Sequence, residues 1–439
     1  MLSREDNELL TRVGPGTAMG EMIREYWLPA CRSARLEPEG APERVRLVGE
    51  DFVAFRGTDG SVALIAEACP HRCASMALAR NEGDGLRCIF HGWKVGMNGR
   101  CVDAPTEPTD RRERFTDLVP VRSHPVHEAG GLVWVYLGKQ ATPPRFPDFE
   151  FNSLPEGHVI PRRGLLHANW LQGLEALLDS AHVSFLHRAQ LGPPPEGPFR
   201  KEIGYIRDNG APVFEFVDRP YGFTEGALRQ QDDGNCYARV REVALPFFSF
   251  IPFAPGGPAV VVCAIPIDDE WTAQWYISFD ATKPLDPTWM TNFNRDAGDP
   301  DYFNSDMGGP ETLWNQDRAA MKAGHWSGIV GHGNAYEDFV VQESMGPIVD
   351  RSKEFLGTCD VVIVRARRIL LENLHRFQAT GVVPFAGPDV DFARIRAISY
   401  AYPAGQDWKA VTRSTPPRWR PSSSARASPL GGVSELYKL

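Results

Sequence analysis

The sequence has no apolar run approaching the roughly 18 residues of a membrane helix, and its start, Met1–Leu10, is polar and acidic where a secretion signal would be apolar. A cytoplasmic protein without a membrane partner is expected. Positive charge is not in excess: 47 Lys and Arg stand against 56 Asp and Glu, a formal net charge of −9, so a broad basic face for nucleic acid is not expected. Cysteine is scarce, eight irregularly spaced residues in 439. That argues against a disulfide framework, and in a reducing compartment it makes clustered cysteines metal ligands. Internal repeats are absent too. What is present is an ordinary globular composition, 42% hydrophobic and 23% charged, long enough for two or three domains of about 150 residues each.

From Glu5 to Trp27 the pattern is helical, broken at Gly14-Pro15-Gly16 and ended by Pro29, which suggests a helical cap over residues 1–41. Between 42 and 141 short β-like runs follow one another between glycine turns: Val45–Phe55, Val62–Glu67, Leu86–Val95 and Leu132–Leu137. This is the pattern of a small all-β domain. After the Pro-rich stretch Thr142–Pro147, residues 142–403 mix helical segments (Leu165–Leu186, Glu337–Gly346, Asp360–Thr380) with strands around Tyr237–Phe250 and Ala259–Phe279. The second unit is therefore α+β. Residues 404–439 turn to Arg, Ser and Pro and read as a flexible tail.

Within the small β domain stand Cys69-Pro70-His71 and Cys88-Ile89-Phe90-His91, a C-x-H-x16-C-x2-H pattern. On neighbouring β loops each piece supplies one Cys and one His, so a [2Fe-2S] cluster would have both cysteines on one iron and both histidines on the other. This is the Rieske arrangement, and neutral imidazole in place of thiolate raises its potential. Two Cys and two His also suit zinc, but zinc fingers pair Cys with Cys and His with His, whereas each pair here is mixed. Cys73 and Cys101 lie nearby and read as bystanders, free thiols in preference to a disulfide.

A second constellation begins about ninety residues later, Asp179-x2-His182-x4-His187. On a helix Asp179 and His182 share a face, and His187 joins them only if the helix distorts or ends. Two histidines sharing a metal call for a carboxylate as third ligand, leaving positions open for oxygen on ferrous iron. Asp338, in the helical run Glu337–Ser344, is the candidate. A carboxylate near a helix start is also what the helix dipole favours, so the assignment draws its force from the two motifs together.

On these motifs, together with Leu2–Asn7, Gly14–Thr17, Glu343–Ile348 and Asp350-Arg351, the chain resembles the oxygenase α subunit of Rieske non-haem iron oxygenases, in the phthalate dioxygenase-like group, over roughly residues 1–400. The resemblance implies an N-terminal all-β Rieske [2Fe-2S] domain followed by a larger α+β catalytic domain with an antiparallel sheet and helices carrying mononuclear Fe(II). It implies a head-to-tail homotrimer, or a stacked hexamer. In it Asp179 bonds His182 of its own chain and His91 of the neighbour, a carboxylate that orients two metal-bound imidazoles and offers a short path for an electron. It also implies NADH-derived electrons arriving through a separate flavin and iron–sulfur reductase, and O2 activated at Fe(II) beside an aromatic ring.

The group often handles aromatic carboxylates: phthalate, isophthalate, or phenoxybenzoates split at the ether by angular dioxygenation. Such an anion calls for a buried Arg, and the candidates are Arg207, Arg229, Arg239 and Arg241. Arg239 and Arg241 share one strand face; turned outward they would be solvated charge. Phe247, Phe248, Phe250 and Trp275 are candidate pocket walls, or equally core. Two alternatives remain: a Rieske O-demethylase or monooxygenase of methoxylated aromatics, and a Rieske electron carrier without oxygenase activity.

Overall fold

The computed structural model describes residues 2–189, 191, 200–232, 234–252, 258–286, 302–303, 308–331 and 333–410. Its opening is two short helices, Arg4–Thr11 and Ala18–Arg24, capped by the side chains of Ser3 and Thr17. The second ends earlier than its sequence pattern implies. Trp27–Arg32 is a strand, paired with Leu132–Tyr136, and Pro29 falls at an irregularity of that ladder, where its missing N–H is tolerated.

Three small antiparallel sheets build the β region. Trp27–Arg32, Leu132–Tyr136 and Val126–Ala129 form one; Glu43–Leu47, Glu50–Arg56, Val62–Ala66 and Ser123–His124 form another; Arg80–Asn81, Gly85–Arg87, Lys94–Gly96 and Cys101–Asp103 form the third. The run Val45–Phe55 is not one strand but a hairpin. Val48 and Gly49 turn the chain with φ of 52° and 79°, the doubly left-handed turn that suits the twist of paired strands.

The larger region is built on a nine-stranded sheet. Its order runs Val213–Arg219, Gly222–Gln230, Asn235–Ala244, Phe248–Ile251, Ala259–Pro266, Thr272–Phe279, Val159–Leu166 and Tyr302–Phe303, with Ile398–Pro403 paired to Asn235–Ala244. Every pairing is antiparallel but that of Val159–Leu166 with Tyr302–Phe303. Thr272–Phe279 is buried at every position, polar Thr272, Gln274 and Ser278 included, so both of its faces are covered. The helix Trp170–Leu178 covers one face. Gly173 lets it approach closely, since a Cβ there would sit 3.1 Å from the Ala264 methyl.

The segment Leu165–Leu186, read from sequence as one helix, is three elements: a strand to Leu166, the helix Trp170–Leu178 capped by Asn169, and a 3-10 turn His182–Ser184. Asn169 sets the break. Its side-chain oxygen takes the Leu171 N–H at 3.1 Å while its amide donates to the Thr11 and Asp269 carbonyls, tying the helix start to two other elements. One hydrophobic core joins the N-terminal helices, the first small sheet and the large sheet through Leu10, Trp134, Trp170 and Phe247; a separate one, with Val53, Phe55, Ile65 and Leu86, ends at Cys69 and Cys88.

Most of the stretch read as a tail, 411–439, falls outside the described residues. Its beginning is packed: Trp408 is buried against Gly226 and donates to Glu215 at 2.8 Å. Among the described residues no helix is long and apolar enough to cross a membrane.

Candidate metal centres

Two loops of the β region repeat one hydrogen-bond scheme. The Cys69 carbonyl accepts from the Cys73 N–H (2.9 Å) and its N–H donates to Ala74 (2.8 Å); Cys88 does the same with Gly92 (3.0 Å) and Trp93 (2.9 Å). In each loop the residue four beyond the cysteine is left-handed, Cys73 at φ 58° and Gly92 at 77°. Cys73 is thus the counterpart of Gly92 and belongs to the turn. It is exposed and Cys101 is buried, and neither is disulfide-bonded.

The loops bring Cys69, Cys88, His71 and His91 together. The two imidazole rings lie 4.4 Å apart and nearly perpendicular, and His71 stacks on Trp93 at 4.4 Å. Burial pushes the Cys69 thiol up to about 11; N–H groups of His71 and Arg72 oppose the rise and the adjacent Cys88 sulfur adds to it. The Cys69 and Cys88 sulfurs adjoin at the end of the same buried core. Nδ1 of His71 and Nδ1 of His91 are both buried without a hydrogen-bond partner. Two such sulfurs and two orphaned imidazole nitrogens are a donor set that fits a Rieske cluster.

The second centre is assembled from distant elements. His182, His187 and Asp338 each offer an atom within 4.8 Å of the others. His187 Nε2 lies 3.1 Å and His182 Nε2 3.5 Å from the same oxygen, Asp338 Oδ1. The opposite nitrogen of each ring meets another carboxylate: His187 Nδ1 lies 2.8 Å from Glu337 Oε2, and His182 Nδ1 3.6 Å from Asp179 Oδ2. That pairing fixes ring orientation and leaves the two Nε2 atoms facing one point, as in carboxylate–histidine–metal sites. Burial opposes the His187 imidazolium, but Asp338 and Glu337 outweigh it and push His187 up to about 9. His187 and His182 in turn outweigh burial at Asp338 and hold it below the usual carboxylate range.

Asp179 ends the helix, with ψ 120°, and its Oδ1 accepts the N–H groups of Ala181 (2.7 Å) and His182 (3.2 Å). It and His182 therefore meet across a helix end and not along a helical face. Asp338 lies inside the helix Asn334–Ser344, which starts before the expected Glu337. Glu337 was not recognised in the sequence. It is fully buried and receives a hydrogen bond from Ser327 Oγ at 2.6 Å, and the only sequence signal for it is a second acid beside Asp338.

The four candidate arginines separate. Arg207 forks onto its neighbour Asp208 at 2.7 and 3.0 Å and stays apart from the others. Arg229, Arg239 and Arg241 are buried together, since the register sets Arg241 opposite Glu225, Arg239 opposite Ala227 and Arg229 opposite Tyr237, all on one sheet face. Burial, then the Arg239 charge, pushes Arg229 down to about 9. Burial likewise raises Glu225 against the pull of Arg241 and Arg239. Nε and Nη1 of Arg239 are buried without partners, as is Ser180 Oγ.

The aromatic candidates do not wall this site. Phe247 packs on Tyr26 and Trp170, and Phe248 and Phe250 on Phe149, inside the shared core. Trp275 lies across from Cys263 and Arg163, while its strand neighbour Tyr276 feels the Asp338 charge on the opposite face.

Comparison with known proteins accords with this layout. The family model "Rieske [2Fe-2S] domain" matches residues 26–125, and "LigXa C-terminal domain like" matches 135–423. The chain is 34% identical to the 3-chlorobenzoate-3,4-dioxygenase oxygenase subunit of Comamonas testosteroni over 94% of this chain and 98% of that protein. It is 35% identical to the phthalate 4,5-dioxygenase oxygenase subunit of Pseudomonas putida over 93% and 94%. A third relative, the 5,5'-dehydrodivanillate O-demethylase oxygenase subunit of Sphingobium sp., is 33% identical over 86% and 81%. The solved terminal oxygenase of carbazole 1,9a-dioxygenase from Nocardioides aromaticivorans shares the fold, with a TM-score of 0.54 at 20% identity over 81% of this chain and 96% of that one.

Proposed function

Because the chain belongs to the Rieske non-haem iron oxygenases, as an oxygenase α subunit of the phthalate dioxygenase-like group, we propose that it hydroxylates an aromatic carboxylate. Cys69, His71, Cys88 and His91 would hold the [2Fe-2S] cluster, and His182, His187 and Asp338 the mononuclear iron, as their clustered donor atoms support. The cluster would supply electrons drawn from NADH through a separate reductase, and ferrous iron on two histidines and one carboxylate would leave positions free for O2.

The chain's own groups do the rest. Glu337 accepts the Nδ1–H of His187 at 2.8 Å and Asp179 Oδ2 lies 3.6 Å from Nδ1 of His182, so that both Nε2 lone pairs would be left for a metal. The Asp179 side chain keeps 26% of its surface open. In a head-to-tail homotrimer that edge would meet His91 of an adjacent subunit, whose unpartnered Nδ1 is the nitrogen available to a cluster and whose Nε2 would be left to donate. One carboxylate then bridges two metal-bound rings.

The observation that supports the substrate class is Arg239, a buried guanidinium whose Nε and Nη1 have no partner among the described residues, beside two more arginines and Glu225. A planar carboxylate matches such a fork. Phthalate, isophthalate and phenoxybenzoate types are the acids to try, the last by angular dioxygenation. The test is a product screen of the reconstituted enzyme against its Arg239→Met variant. A diol product from an aromatic acid, with KM raised about 30-fold or more in the variant, is expected for a lost buried charge pair. Formaldehyde from methoxylated acids would move the reaction to O-demethylation, and equal KM in both proteins would sink the carboxylate reading.

A further inference from the structure

Arg229 and Arg241 differ from Arg239 in having work already. Arg241 Nη1 donates to the Leu178 carbonyl and to Glu225 Oε2 at 3.0 Å. Arg229 Nη2 donates to the Ser180 carbonyl at 2.9 Å, and its Nε to the Asn209 carbonyl at 2.8 Å. Leu178 and Ser180 are the residues on either side of Asp179. Two almost fully buried guanidiniums, from adjacent strands and one sheet face, thus grip the backbone before and after that carboxylate.

The position needs such a grip. The helix stops at Asp179, and the carbonyls of a last helical turn have no intrahelical partner. Guanidinium charge there also meets the negative end of the helix dipole. With Asp179 Oδ1 engaged by two backbone N–H groups, the place of Oδ2 beside His182 follows from how the peptides around residue 179 are turned. We propose that Arg229 and Arg241 are positioning residues for Asp179, fixing the bridge between adjacent subunits and contributing no contact to substrate. This rests on the bridging role given to Asp179 above.

Arg229→Lys and Arg241→Lys keep the charge and lose the fork. The readouts are stopped-flow reoxidation of the reduced cluster by O2 with substrate bound, the split between KM and kcat, and the visible spectrum of Co(II) placed in the emptied iron site. Expected are reoxidation slowed by about 10- to 100-fold, the range for residues that orient a metal-bound histidine, an unchanged KM and a shifted Co(II) spectrum. Wild-type reoxidation with a raised KM, or with only a lowered Tm, overturns the proposal. Where a lysine variant does not fold, glutamine at the same position, which also donates an N–H, carries the same test. Asp179→Asn runs alongside. If it leaves reoxidation at the wild-type rate the bridging reading itself fails; if it slows reoxidation while the arginine variants do not, the clamp alone fails.

Discussion

In the cluster loops each ligand pair is held by the same two backbone hydrogen bonds, so the geometry is made where the sequence is contiguous. At the iron site His187 and Glu337 come from 150 residues apart, and no local bond could bring them together. Buried charge ties together elements beside it. Glu175, one turn before Asp179, accepts Arg351 Nε (2.9 Å) and Nη2 (2.9 Å) and Arg367 Nε (2.6 Å), and Arg351 also reaches Asn7 in the first helix. One centre carries its own scaffold, and the other borrows its scaffold from much of the catalytic region.

The largest effects should come from breaking each centre separately. His187→Ala is expected to abolish iron binding and turnover while acid-labile sulfide and the cluster's EPR signal persist; His71→Ala should lose the cluster and still bind metal at His182, His187 and Asp338. Glu337→Gln, which removes only the orienting charge, should weaken iron binding by about 10- to 100-fold. Metal and sulfide analysis read all three. If His187→Ala also strips the cluster, the two regions are not independent and the contrast is wrong.

A smaller effect probes the borrowed scaffold. Glu175→Gln leaves Arg351 facing a neutral group in a buried site, while Arg367 keeps Glu354, a change of the class that costs about 3–5 kcal/mol. The exposed Arg46–Asp51 pair, cut by Asp51→Asn, should cost no more than about 1 kcal/mol. Urea unfolding measures both. Equal losses would mean that the buried network is not what holds the helix leading to Asp179.

The same contrast explains what the sequence could reveal. Spacing in the cluster loops is a local property, and C-x-H and C-x2-H single out the four residues that the loops bring together. The convergence of His182, His187 and Asp338 is also legible, because residue type and the expectation of a carboxylate narrow the choice. Glu337 was not, since no spacing rule links it to His187 and only tertiary packing aims it there. Helical periodicity across Leu165–Leu186 hid a strand end and a helix end, because those residues are buried on several sides and hydrophobicity carried no face. Strand alternation grouped Arg239 with Arg241, yet their different partners, a peptide carbonyl for one and none for two nitrogens of the other, depend on where the neighbouring helix stops.

The smallest effect tests the equivalence of the two cluster loops. Gly92 is left-handed, and a Cβ there would lie 2.8 Å from Pro105 Cγ, so Gly92→Ala meets both backbone strain and a clash. A cost of about 1–2 kcal/mol is expected from the backbone alone. Cys73 pays that conformational cost already, at φ 58°, and its side chain is exposed. Cys73→Gly removes the strain and adds freedom to the unfolded chain, two terms of opposite sign that leave a change within about 1 kcal/mol. Thermal loss of the cluster's visible absorbance measures stability in both variants, and EPR of the reduced protein reports the cluster. An unaltered EPR signal in Cys73→Gly makes the fifth residue of each loop a turn residue alone; a shifted one would show that the Cys73 sulfur is felt by the cluster, and the two loops would then be alike in backbone only.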